Sequence, residues 1–304
     1  MIVYKQISQN IFKTWVFIAL FMALIVSLGY FFGCYYNDQS ILVFAFGFSL
    51  FSVFFSYWFS DKIVLGLAGA KEIAKKSEFP ELYRIVENLA ITAGLPMPKL
   101  YVVDDLSLNA FATGRDKNHA VVAVNRGLLE VLDKDEVEGV IAHELSHIGN
   151  RDILLSTIIV VLVGFVSILS DMFLRSRLWH GSRDRDDRRN GGVLMIIGVA
   201  LVVLSPVIAF LIQMAISRKR EFLADANAVL LTRHPDGLAN ALRKISLSRV
   251  KPHYASSAMS HLYISSPLKE DSGVKLREES WFTTLFSTHP SIKKRIELLE
   301  KIDK

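Results

Sequence analysis

Cysteine is nearly absent. Cys34 is the only one in 304 residues, and it lies inside an apolar run. A disulfide framework within the chain and a zinc site built on several thiolates are both excluded. Charge is scarce as well: Asp, Glu, Lys and Arg make up 21% of the residues against 51% apolar ones. Soluble domains carry about a quarter charged residues, and here mean hydropathy is positive at +0.34. No internal repeat or low-complexity tract is present. The net charge of +5 is compatible with nucleic acid, but the basic residues border apolar spans and form no aromatic-interleaved surface. A lipid bilayer suits them better, and no nucleic-acid partner is expected.

Charge is missing altogether from four stretches. Residues 14–37 and 39–60 contain none, and each is long enough to cross a hydrocarbon core as a helix. The linker around Asp38 is short, so the pair predicts a helical hairpin. A cleaved signal peptide is disfavoured, because the first run is too long and no small-residue cleavage site follows it. Lys5 and Lys13 precede the first run, and Lys62, Lys71, Lys75 and Lys76 follow the second. The positive-inside rule then places the N-terminus and everything after Ser60 in the cytoplasm. Residues 153–170 and 190–217 are the other uncharged runs, separated by residues 175–189 with six arginines and three aspartates. They predict two further spans in a multi-pass protein, although an arginine-rich outer linker runs against the positive-inside trend. The alternative is an apolar hairpin that packs on the domain or lies in the bilayer without crossing.

The chain therefore divides into an anchor (1–60), a soluble part (61–152), the apolar hairpin (153–217) and a second soluble part (218–304). Residues 81–93 carry Leu82, Ile85, Val86 and Leu89 at helical spacing and stop at Gly94. Residues 99–103, 109–113 and 120–124 predict strands, the last two joined by a turn-rich segment. Asp133, with Glu136 three residues later, predicts a capping box opening a further helix. Residues 236–247 and 290–302 predict amphipathic helices. The polar stretch 256–279 between them could serve as a lid.

The helix after Asp133 carries His143, Glu144 and His147 in a His-Glu-x-x-His pattern. Positions four apart share a helix face, so the two imidazoles can reach one metal ion, with Glu144 beside them to act on a water. Hydrolytic zinc sites usually have three protein ligands. No further histidine follows at the short spacing of the three-histidine proteases. Glu221 is the candidate, with Asp225 four residues on, able to accept the free N–H of a ligating imidazole. Topology agrees, since the apolar hairpin starts six residues after His147 and ends four before Glu221. Both motifs emerge about one helical turn from the same membrane face. His119, His180, His234, His253 and His261 have no partner at ligand spacing, so structural or surface roles are the default.

The combination of residues 143–147, Asn109-Ala-Phe-Ala112, Arg218-Lys-Arg-Glu221 with Asp225, and Ser287-Thr-His-Pro290 resembles the HtpX-type membrane zinc metalloproteases. It is similar also to the CAAX prenyl proteases. The resemblance runs end to end. It implies one Zn2+ per subunit, endopeptidase activity facing the cytoplasm from the bacterial inner membrane, and quality control of damaged membrane proteins under stress. The expected fold is a mainly α membrane protein with a gluzincin-like α+β protease domain and a small sheet. Glu144 is the expected general base, and then acid, of metal-assisted peptide hydrolysis. Asn109, Ala110, Phe111 and Ala112 form a candidate edge strand for an extended peptide, with an ordinary interior strand as the alternative. His289 is a candidate oxyanion donor. It could equally be structural, since Pro290 suits the first position of the following helix. Two rival readings are an intramembrane protease, disfavoured by the charges at 133–138, and a non-catalytic zinc-binding adaptor, disfavoured by the intact Glu144.

Overall fold

The computed structural model describes residues 2–158, 218–248, 250, 264 and 290–302. The chain opens with two long helices, α1 (Ile2–Tyr36) and α2 (Ser40–Leu67), packed as a hairpin. The turn between them uses Asn37 at φ 52°, and the Asp38 carboxylate accepts a hydrogen bond from Ser40 N–H at 2.9 Å. Small residues let the helices meet: a Cβ on Gly29 would lie 2.3 Å from the Ala45 Cβ. Outward-facing Phe44, Phe51 and Phe54 are exposed. Both helices are long and apolar enough to cross a membrane. They outrun the uncharged stretches at both outer ends, taking in Lys13 before the first and Asp61 and Lys62 after the second.

A four-stranded sheet follows: β1 (Ala70–Glu72), β2 (Lys99–Val103), β3 (Ala110–Gly114) and β4 (Ala120–Asn125). The order is β1-β2-β4-β3, with β2 and β4 parallel and the outer pairs antiparallel. Alternation along β4 decides what each face covers. Ala120, Val122 and Val124 join the core built by the helices that follow, whereas Val121 and Ala123 pack with Phe17, Phe21 and Val64 of the hairpin. The sheet is thus sandwiched between anchor and protease core. This accounts for the uninterrupted burial of β4.

Helix α3 (Pro80–Ala93) buries Leu82, Ile85, Val86 and Leu89, and ends at Gly94 in the left-handed conformation at φ 65°. That is the position where a residue without Cβ is favoured. The short α4 (Arg126–Val131) leads to α5 (Lys134–Gly149), whose capping box between Asp133 and Glu136 is complete. Another helix begins at Ile153 and is described to Ile158. The remainder of the expected apolar hairpin and its arginine-rich linker lie outside the described residues. The chain resumes with α6 (Arg218–Thr232), α7 (Pro235–Leu247) and α8 (Ile292–Ile302).

Helix α5 is central to this arrangement, packed among α3, α6, α7 and β3. Gly139 permits a close approach to α7, since a Cβ there would lie 2.6 Å from the Leu238 backbone nitrogen. Pro290 does not open the last helix as the sequence predicts. Ser291 caps it instead, with the Lys294 N–H donating to its hydroxyl at 3.4 Å. A serine oxygen satisfies an orphan helical N–H in a way proline cannot.

Candidate metal centre

Burial fixes α5 so that its chemistry-bearing face cannot wander. Val140, Ile141, Ala142, Leu145 and Ile148 are all buried around His143 and His147. The imidazole Nε2 atoms of the two histidines lie 3.2 Å apart. From α6, Glu221 brings one carboxylate oxygen 3.7 Å from His143 Nε2 and the other 3.7 Å from His147 Nε2. One ligand atom from each of the three residues falls within 4.8 Å of the others.

The opposite ring nitrogens are already committed. His143 Nδ1 lies 2.9 Å from Asp225 Oδ1, and His147 Nδ1 lies 3.0 Å from Asp152 Oδ2. A carboxylate accepting from each Nδ1–H leaves each Nε2 lone pair facing Glu221, the tautomer a metal requires. Four carboxylates (Glu144, Glu221, Asp225 and Asp152) gather here, with the guanidinium groups of Arg295 and Arg220 beside them. The cluster of carboxylates and the two imidazole Nε2 atoms suit a dication with nitrogen and oxygen ligands. The residues fit such an ion.

Burial dominates the electrostatics. It pushes the Glu144 carboxyl up, the nearby Glu221 charge adds to the rise, and the group reaches about 7 even though the Ala112 N–H donates to it. Burial would lower the His147 imidazole, but Asp152, Glu221 and Glu144 outweigh it and raise it to about 9. His143 goes the other way, lowered by burial and by the Arg295 charge. For Asp225, burial is overcome by Arg295 and His143, which hold its carboxyl below the usual range.

Arg295 was not read from the sequence. It is fully buried, and its Nε and Nη2 donate to the two Asp225 oxygens at 2.8 and 2.6 Å. Its Nη1 donates to the Ile264 carbonyl at 3.2 Å and lies 3.7 Å from Glu221. The available signal was a lone arginine on the face of α8 that also presents Ile292, Ile296 and Leu299 to the core. Asp152 was also missed, although it lies only five residues beyond His147.

Strand β3 borders the site and lies at the sheet edge. It begins at Ala110, so Asn109 precedes it and the predicted boundary is one residue early. Asn109 still accepts from Asn125 N–H at 2.9 Å. In an antiparallel ladder the odd residues of β3 therefore bond β4, and the backbone groups of Ala110 and Ala112 face the other way. The Ala112 N–H reaches Glu144 on that side. The Asn109 side chain is buried, with its Oδ1 accepting from Ile264 N–H at 3.0 Å. His119 pairs with Asp116 at 2.8 Å in the turn between β3 and β4, and His234 is half exposed. His180, His253, His261 and His289 fall outside the described residues, as does the 256–279 stretch apart from Ile264.

Residues 76–303 match the model of Peptidase family M48. A Protease HtpX homolog from Pyrococcus furiosus is 46% identical over 292 residues, covering 95% of each chain. The chain belongs to peptidase family M48. Its similarity to HtpX homologs extends to Caldanaerobacter subterraneus subsp. tengcongensis, with 41% identity over 303 residues covering 98% of this chain and 97% of that one. The crystal structure of S. mikatae Ste24p shares the fold, with a TM-score of 0.51 at 17% identity over 98% of this chain and 67% of that one. This M48 peptidase is thus an HtpX-type membrane metalloprotease, a helical protein with a small mixed sheet. The expected enzyme is thereby shown, and the rival reading as a non-catalytic adaptor falls away.

Proposed function

We propose that this M48 peptidase is a zinc endopeptidase that cuts cytoplasmic segments of misfolded or damaged membrane proteins. The observation that carries the chemistry is the meeting of His143, His147 and Glu221 within 4.8 Å, with both Nδ1 atoms held by carboxylates. Zinc bound there supplies Lewis acidity towards a scissile carbonyl and makes a water more acidic. Glu144 takes the proton from the attacking water and delivers it to the leaving amine. The outward backbone groups of Ala110 and the Ala112 carbonyl pair with the substrate as an added strand, with Asn109 and Phe111 supporting that edge. Backbone pairing tolerates many sequences, as a quality-control enzyme needs. Asp225 and Asp152 keep the imidazole tautomers. His289 donates to the developing oxyanion.

The protease domain is assembled from residues 61–152 and 218–304, with the 153–217 hairpin crossing the bilayer twice between them. The distribution of lysines around the first two helices supports a cytoplasmic site in a bacterial-type inner membrane. Arg115, at the end of the β3 edge, stacks 4.5 Å from the Trp58 ring of α2. Such a contact suits a substrate edge held near the bilayer surface. The test is cleavage of an unfolded membrane protein in detergent by purified enzyme. Cleavage should require zinc and stop with a chelator, and Glu144→Gln should lose about 100-fold or more in rate while keeping its zinc. Cleavage by Glu144→Gln at the wild-type rate would remove Glu144 from its role.

A further inference from the structure

The metal centre is buttressed from an unexpected direction, the first membrane helix. Asn10 of α1 is 3% exposed. Its Nδ2 donates to the Asn150 carbonyl at 3.1 Å and also to the Asp152 carboxylate. The two N–H bonds of one amide are thereby spent on the loop that follows α5. A turn above, Thr14 donates to the Asn10 carbonyl at 2.9 Å, so Asn10 lies in an intact polar turn just before the apolar run.

The loop is shaped to meet this amide. Arg151 adopts φ 56°, an unfavourable conformation for a residue with a Cβ. The turn it makes lets the Asp152 N–H bond the His147 carbonyl at 3.0 Å and carries the Asp152 side chain back beneath the imidazole. Of the two Asp152 oxygens, one takes the His147 Nδ1–H and the other takes Asn10. Arg220 of α6, next to Glu221, lies 3.9 Å from that second oxygen. A carboxylate that fixes a ligand's tautomer does so only while its own rotamer is fixed.

We propose that Asn10 is a positioning residue for the metal centre. Through Asp152 it holds His147 in the ligating tautomer, so α1 is a structural part of the site and not only its anchor. The metal site then responds to how α1 is seated against the loop after α5. This inference rests on the reading of His143, His147 and Glu221 as metal ligands.

The test uses the full chain in detergent and measures the zinc dissociation constant by competition with a chelator. Asn10→Leu should weaken zinc binding about 10-fold, in the range seen when a ligand's outer partner is lost. Asn10→Ser, which keeps one donor, should fall between it and wild type. Phe17→Ala removes a buried α1 side chain that belongs to the apolar cluster between the hairpin and the sheet. It should lower the unfolding temperature and leave zinc affinity within about twofold, which separates positioning from simple helix docking. Asn10→Ala provides the same reading if Asn10→Leu fails to fold. His147→Ala should abolish tight binding. Wild-type zinc affinity in the Asn10 variants, with binding lost in His147→Ala, overturns the inference alone. Wild-type affinity in His147→Ala overturns the ligand reading and the inference with it.

Discussion

Replacing Arg295 with methionine keeps length and removes charge at the most buried cation of the site. The wild-type guanidinium makes two charge-assisted bonds to Asp225, at 2.8 and 2.6 Å, and one to the Ile264 carbonyl at 3.2 Å. Without it, the Asp225 carboxylate stays 4% exposed beside Glu221 and Glu144 and loses both of its guanidinium bonds. Removing one partner of a buried ion pair costs about 3–5 kcal/mol. The exposed Arg243–Glu300 pair is worth at most about 1 kcal/mol. For a domain of this size each kcal/mol moves the unfolding temperature by about 2–4 °C, so Arg295→Met should lower it by about 6–20 °C. Tryptophan fluorescence of the metal-free protein in detergent, heated at a fixed rate, reads this out. Adding Asp225→Asn to Arg295→Met removes the orphaned charge and should recover part of the loss. A shift within about 2 °C of wild type, or a double variant less stable than the single one, would refute the reasoning.

Two further outcomes are expected. Gly139→Ala places a Cβ 2.6 Å from the Leu238 nitrogen and 2.9 Å from its Cα, both backbone atoms, so α7 must move. Stability should fall by about 1–3 kcal/mol, measured by the same melt, and an unchanged melt would mean that α5 and α7 are not in close contact. Cys34, exposed near the tip of the α1–α2 hairpin, is the only thiol. A membrane-impermeant maleimide should label it on intact cells. Labelling only after permeabilisation would reverse the proposed orientation.

Local signals were legible where one stretch carries both the pattern and its stop. The capping box opens α5, Gly94 ends α3, and β2 spans the residues its apolar run predicts. Glu221 and Asp225 were legible because their spacing places both on one face and the flanking apolar runs return them to His147. The ends of α1 and α2 were not, since a helix continues past the point where its surroundings turn polar. β1 went unread because three residues carry no alternation. Asp152, Arg295 and Asn10 were missed for a shared reason: each acts through another residue, and two of them reach partners 70 and 142 positions away. For Asn10 and Arg295, only an amide or charged group on an apolar helix face hinted at the role.

Zinc binding by Glu221→Ala, set against the wild-type chain, tests the centre most directly. The wild-type protein should hold about one zinc per chain, and Glu221→Ala should fail to retain it through chelator competition while keeping its helical spectrum. Zinc retained by Glu221→Ala at wild-type stoichiometry and affinity would contradict the account, because the third ligand would then lie elsewhere.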